Sequence, residues 1–397
     1  MSTSEAADRT QVLPAYAPAH YGRRRRPWPR VVLAVLAALL AVASIAAGLA
    51  YIYVSRKLDH IPRIAVSGLQ PVGATDPQNI LVAGSDSRAN ESAAAAQHFG
   101  SAKDVSGQRS DTIVLIHLDP RTSKAAMLSI PRDTFVPIAG TGSSNRINAA
   151  FDAGPGALVA TITQDFHIPI NHYMQEDFGG LQGLTDAVGG VCMNFAYPVR
   201  DSSPTGTGSE TGLNLPAGPH VLNGTDALAF VRSRYYQYFT KGAWHPEGTG
   251  DIGRIERQHE FVRALAGQIV HSARNPFKGF RVLNRAVKTV TVDSTFKSSS
   301  MMRLAMKLRS FHPADVPSFT LPYNAVNGYG SFGDVLLPIT AQDTQVIAAW
   351  QSYGAPGPEQ PVTTTAPAPA PRKHTGATTP PAIPTAPPRP AWDPTAC

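Results

Sequence analysis

Thr112-Ile113-Val114-Leu115-Ile116-His117-Leu118, the turn Asp119-Pro120-Arg121-Thr122 and then Ala125-Ala126-Met127-Leu128-Ser129-Ile130 decide how this chain folds. Two apolar runs of strand length on either side of a hairpin-sized turn predict an antiparallel pair, in which the start of one strand lies beside the end of the other. Asp111, just before the first run, and Arg132, just after the second, are then neighbours. A third run, Asn79-Ile80-Leu81-Val82-Ala83, leads directly to Asp86. Helical patterns alternate with these strands: the stretch from Ala157 is apolar at Leu158, Val159, Ile162 and Phe166, and Met301 to Leu308 is amphipathic. The mixture predicts an α/β or α+β sandwich, with helices covering a mixed sheet. Residues 88–109, rich in Ala and Ser, read as a loop or short helix.

Five short motifs follow or precede these runs: Gly84-Ser85-Asp86-Ser87-Arg88, Arg109-Ser110-Asp111, Ser129-Ile130-Pro131-Arg132-Asp133, Arg232-Ser233-Arg234 and Asp251-Ile252-Gly253-Arg254, which continues to Arg257-Gln258. Arginine presents a planar, permanently charged set of donors to phosphate oxygens, and a few aspartates beside a phosphate suit magnesium. With Ala227 to Val231 read as extended, Arg232 and Arg234 share one face and grip one anion. Past Gly253 the helical count puts Asp251, Arg254 and Gln258 on the same face as Ile255, Val262, Leu265 and Ile269, while Glu256, Arg257, Glu260 and Arg263 point to solvent. A single motif of this kind reads as an internal salt bridge. Five converging ones read as a pyrophosphate site, with Asp86 and Asp111 for Mg2+. The twelve histidines have no ligand spacing, and neither a P-loop nor a Gly-x-Ser-x-Gly elbow is present.

The formal charge of +7 is uneven, since residues 1–54 hold six Lys+Arg and two Asp+Glu, leaving 29 against 26 in the rest. That distribution argues against a nucleic-acid partner. Val31 to Val54 carries no charge and is long enough to cross a bilayer. Arg23 to Arg26 and Arg30 before it, with Trp28 at one end and Tyr51 and Tyr53 at the other, predict a single-pass membrane protein with a cytoplasmic N-terminus and an extracellular domain. A cleaved signal peptide would have a shorter apolar core. The expected layout is a basic cytoplasmic segment over 1–30, a transmembrane helix over 31–54, a connector over 55–70, a catalytic domain over 71–353 and a disordered Pro/Thr-rich tail over 354–397. Two cysteines make no disulfide framework; Cys192 reads as a small buried apolar residue and Cys397 as the end of the tail.

Taken in order, these motifs, with Arg146-Ile147-Asn148-Ala149-Ala150-Phe151 and Val188-Gly189-Gly190-Val191, resemble the LytR-CpsA-Psr family over roughly Asn79 to Leu265. The resemblance implies an α/β/α sandwich with an apolar tunnel. It implies a phosphotransferase that uses magnesium to move a glycopolymer from a polyprenyl-pyrophosphate carrier to peptidoglycan. Asp86 and Asp111 match the family's metal-binding aspartates; Arg109, Arg132, Arg232, Arg234, Arg254 and Gln258 match its pyrophosphate-binding residues, to which Arg88 is added. The sequence departs from the pattern in a long gap between Asp86 and Asp111, a long stretch from Tyr235 to Thr249, and a tail where many members have a further domain. A pyrophosphate hydrolase and a non-catalytic wall-binding or regulatory protein are the alternatives. Asp111 or Asp251 is the candidate general base, or the reaction needs none.

Overall fold

In the computed structural model, residues 28–85, 110–203, 209, 211–247, 251–307, 312–354 and 395–397 are described, without the side chains of Asp111 and Asp251. Asp86, Arg88 and Arg109 lie outside the described residues, as do the segment before Trp28 and residues 355–394. The chain divides into two units, Met1–Ile52 and Tyr53–Cys397. The first holds most of helix α1 (Trp28–Asp59), whose apolar side chains, such as Leu33, Leu40 and Leu49, are exposed. By length and composition, Val35–Asp59 is apolar enough to cross a membrane.

The second unit is organised around the hairpin. Its strands in chain order are β1 (Arg63–Ile64), β2 (Gln78–Ser85), β3 (Ser110–Asp119), β4 (Lys124–Ser129), β5 (Phe135–Pro137), β6 (Ser144–Arg146), β7 (His172–Asp177), β8 (Val191–Phe195), β9 (Val199–Asp201), β10 (Asn214–Leu215), β11 (Gly218–Leu222), β12 (Tyr236–Thr240), β13 (Ala243–Pro246), β14 (Val290–Asp293), β15 (Ser318–Thr320), β16 (Tyr323–Val326), β17 (Val335–Pro338) and β18 (Thr395–Ala396). Its helices are α2 (Asn148–Asp152), α3 (Pro155–Phe166), α4 (Phe178–Val188), α5 (Gly224–Arg232), α6 (Asp251–Ala273), α7 (Pro276–Thr289), α8 (Ser298–Lys307) and α9 (Thr340–Gln351). Seven strands form a mixed sheet in the order β1-β14-β7-β2-β3-β4-β15. The expected hairpin is present: β3 pairs antiparallel with β4, from Asp119 opposite Lys124 to Val114 opposite Ser129.

Strand alternation then sorts the core into layers. Leu81, Ala83, Ile113, Leu115, Ala126 and Leu128 point to one face, where α2, α3 and Trp350 of α9 cover them. Ile80, Leu118, Ala125 and Met127 point to the other, beneath Leu283 and Val287 of α7 and Met301 and Leu304 of α8. The sandwich is therefore α/β/α, as the resemblance implied. In the middle of the second face Val82, Val114, Ile116 and Met174 are only half-buried. Central strands of a seven-stranded sheet are normally the most covered, so this face is covered less completely than its position predicts.

Two expectations about the layout change. Part of the expected connector joins the sheet, because β1 pairs in parallel with β14 at its edge. The chain end also has structure: β18 pairs with β8, and Cys397 is disulfide-bonded to Cys192. Cys192 is thus half of a staple and not an isolated buried thiol. The partners are 205 residues apart in sequence, so no local pattern pointed to the pairing.

Candidate active site

The hairpin register carries the first part of the site. Ile130 N–H donates to Ile113 C=O at 3.0 Å, which leaves Asp111 and Arg132 at the same end of adjacent strands. On the other side of β3, Gly84 lies opposite Thr112 but Ser85 lies opposite Ser110. The register slips by one, so the Asp111 backbone sits in a bulge. Ser85, Asp111 and Arg132, which belong to three of the five motifs, therefore reach one sheet end. Arg132 is half-buried, its Nε 3.4 Å from Asp133, whose other oxygen is 3.5 Å from Arg146 Nε.

Arg232 and Arg234 are placed differently from the extended expectation. Ala227 to Val231 is helical, part of α5, and Asn223 caps its start by accepting from Thr225 N–H at 2.8 Å and Asp226 N–H at 3.0 Å. Asn223 with Asp226 three residues on was the available helix-start signal, and the apolar run concealed it. Arg232 is the last helical residue, Ser233 turns the chain, and exposed Arg234 follows. Buried Asp201 secures that turn, accepting from Ser233 Oγ at 2.7 Å and Tyr235 N–H at 3.2 Å.

Helix α6 joins the two halves. Gln258 accepts from Thr112 Oγ1 at 3.4 Å and donates its Nε2 proton to Val231 C=O at 3.1 Å, so one side chain touches residues adjacent to Asp111 and to Arg232. Beside it His259 Nε2 is 2.5 Å from Ser129 Oγ, at the end of β4. Burial, reinforced by the nearby Arg263 charge, pushes the His259 pKa down to about 3, so the ring is neutral. Arg254 is 3% exposed, inward as expected. Val262, one turn beyond Gln258 on the same stripe, is 43% exposed: the expected inward face is uncovered there.

The solvent-facing reading of Arg257 and Glu260 is overturned. Arg257 is fully buried, ion-paired with Glu247, donating to Ser233 C=O and lying 4.5 Å over the Tyr236 ring. Glu260 is buried and pairs with Arg263 at 3.2 Å. A helical wheel assumes one covered face, whereas the start of α6 is wedged between the main sheet and a second core containing Phe230, Tyr236 and Phe261. Asp201, Glu247 and Arg257 are thus supporting residues that the sequence pattern missed.

The family model described as the LytR_cpsA_psr family matches residues 54–345, which includes every segment assembled above. The chain is a member of the LytR-CpsA-Psr family. Among similar LytR-CpsA-Psr proteins is the probable cell wall biosynthesis protein LcpB of Corynebacterium glutamicum, 32% identical over 340 residues, covering 84% of this chain and 72% of that one. The polyisoprenyl-teichoic acid–peptidoglycan teichoic acid transferase TagU of Halalkalibacterium halodurans is 32% identical over 199 residues, half of this chain and 55% of that protein. The LytR-Csp2A-Psr enzyme from Actinomyces oris, at 23% identity, shares the fold with a TM-score of 0.56 over 74% of this chain and 96% of that one.

Proposed function

We propose that this chain is a membrane-anchored phosphotransferase that moves a glycopolymer from a polyprenyl-pyrophosphate carrier to peptidoglycan in cell-wall assembly. The observation that carries the reading is the Gln258 bridge, which ties the segment next to Asp111 to the segment next to Arg232. Membership of a family that includes named teichoic acid transferases sets the reaction class. The half-buried Val82, Val114, Ile116 and Met174 supply an apolar bed for the polyprenyl chain.

In the reaction a peptidoglycan sugar hydroxyl attacks the phosphorus bearing the polymer; a new O–P bond forms, the bridging P–O bond breaks and polyprenyl phosphate leaves. Arg88, Arg109, Arg132, Arg232, Arg234, Arg254 and Gln258 bind the pyrophosphate. Their preorganised donors stabilise charge that grows on its oxygens. Asp111 or Asp251 takes the hydroxyl proton. A pair of carboxylates suits the few-carboxylate preference of magnesium, so Asp86 and Asp111 would hold Mg2+, which would add charge neutralisation. The N-terminus is cytoplasmic and the domain extracellular. The Arg23 to Arg26 run supports this orientation, and so does the Cys192–Cys397 disulfide, since such bonds persist mainly outside the cytosol.

The test incubates the full-length protein in nanodiscs with a lipid-linked glycan and peptidoglycan fragments. A covalent conjugate is expected. Free phosphorylated glycan instead would make the protein a pyrophosphate hydrolase, and no turnover at all would favour a non-catalytic role. Arg132→Ala should lower the rate by about 10²–10³-fold with an unchanged melting temperature.

A further inference from the structure

Helix α7 carries Lys278, Arg281, Arg285 and Lys288 and has no acidic residue. At about 100° per residue these four lie within an arc of about 80°, and all are exposed. The remaining faces bury Val282 and Val287. Phe277, in the first turn, is 82% exposed.

Between α7 and α4 runs an open groove of about 490 Å³, which Arg281, Arg285 and Lys288 line. Arg285 reaches across it because position 183 is glycine: a Cβ there would stand 1.8 Å from its Nε. The Arg285 Nη2 proton is donated to Gly179 C=O at 3.4 Å. Asp186 is the groove's one carboxylate, and its Oδ1 already accepts from Gly224 N–H at 2.8 Å. Among the described residues none of the three groove cations is in an ion pair. The groove therefore holds excess positive charge.

Its position identifies the source of the anion. Asn284, on the groove wall, accepts from the Tyr53 hydroxyl at 3.4 Å, and the Tyr53 ring meets Phe280 edge-on at 5.0 Å. Tyr53 is the penultimate residue of the uncharged 31–54 run, so its contacts put α7 within one side chain of the residues at which that run ends. A basic row with an exposed aromatic at that depth has the character of an interfacial helix. We propose that this groove seats the anionic headgroup of a membrane phospholipid and so lays α7 on the bilayer surface. Free phosphate would use the cations but not Phe277. The proposal rests on the membrane-anchor reading, and not on the transfer chemistry.

The experiment compares full-length protein in nanodiscs of phosphatidylcholine alone with discs containing about one third phosphatidylglycerol, reading deuterium uptake over 276–289. Uptake should slow by about tenfold with the anionic lipid and recover in molar salt. Combined Arg281→Gln, Arg285→Gln and Lys288→Gln should abolish the difference while leaving the melting temperature in phosphatidylcholine unchanged. Equal uptake in the two lipids, or a lipid effect that survives in the triple variant, overturns the proposal. So does equal protection by inorganic phosphate in detergent, which would make the groove a free-anion site. Failure to enter discs would remove the anchor reading and this proposal together. Loss of transfer with lipid-dependent protection intact would count against the enzyme assignment alone.

Discussion

Gln258 bears no charge, yet its amide spans Thr112 and Val231, segments far apart in sequence. Gln258→Leu keeps the volume and removes both bonds. Transfer should fall by about 10²-fold, because small displacements of catalytic segments cost rate, while urea unfolding shifts by no more than about 1.5 kcal/mol. Its neighbour His259 makes stability depend on pH. The folded pKa of about 3 lies below the unfolded value of 6.5, so between them the unfolded chain binds a proton that the folded one does not. Stability is complete above 6.5 and declines as pH falls, by up to about 1.4 kcal/mol per pH unit. Urea titrations at pH 7 and 5 should show that decline, and His259→Gln should flatten it.

Helix α6 was legible as a helix, and its Arg254–Gln258 stripe was assigned to the correct side. The opposite side was misjudged because two cores flank the helix start, and a periodicity argument sees only one. Arg257 distinguishes the two descriptions. Arg257→Leu on a solvated face would change stability by less than about 0.5 kcal/mol; with the buried ion pair to Glu247 broken, the loss should be about 3–5 kcal/mol by urea unfolding. Helix α5 shows the reverse limit. Five apolar residues, Ala227 to Val231, fit a strand or a buried helix equally, and only the Asn223 cap and the packing of Phe230 and Val231 into the second core decide for the helix.

At the scale of the whole molecule, the bond between Cys192 and Cys397 closes a 205-residue separation and pins the last strand to β8. A cross-link of that span chiefly restricts the unfolded chain. Cys397→Ser should lower unfolding stability by about 2–4 kcal/mol, and a reductant should reproduce the loss in the unmodified protein. The substitution should leave the Gln258 bridge in place, so activity below the melting transition should persist.

The hairpin, the long apolar helix and the inward side of Arg254 were readable from residues alone, since strand alternation, uncharged length and helical periodicity are local properties. The route by which α6 ties the β3 end to the α5 end, the burial of Arg257, and the return of Cys397 to β8 were decided by tertiary structure. Each depends on contacts between segments tens to hundreds of residues apart, and the free energy of such contacts leaves no trace in local periodicity.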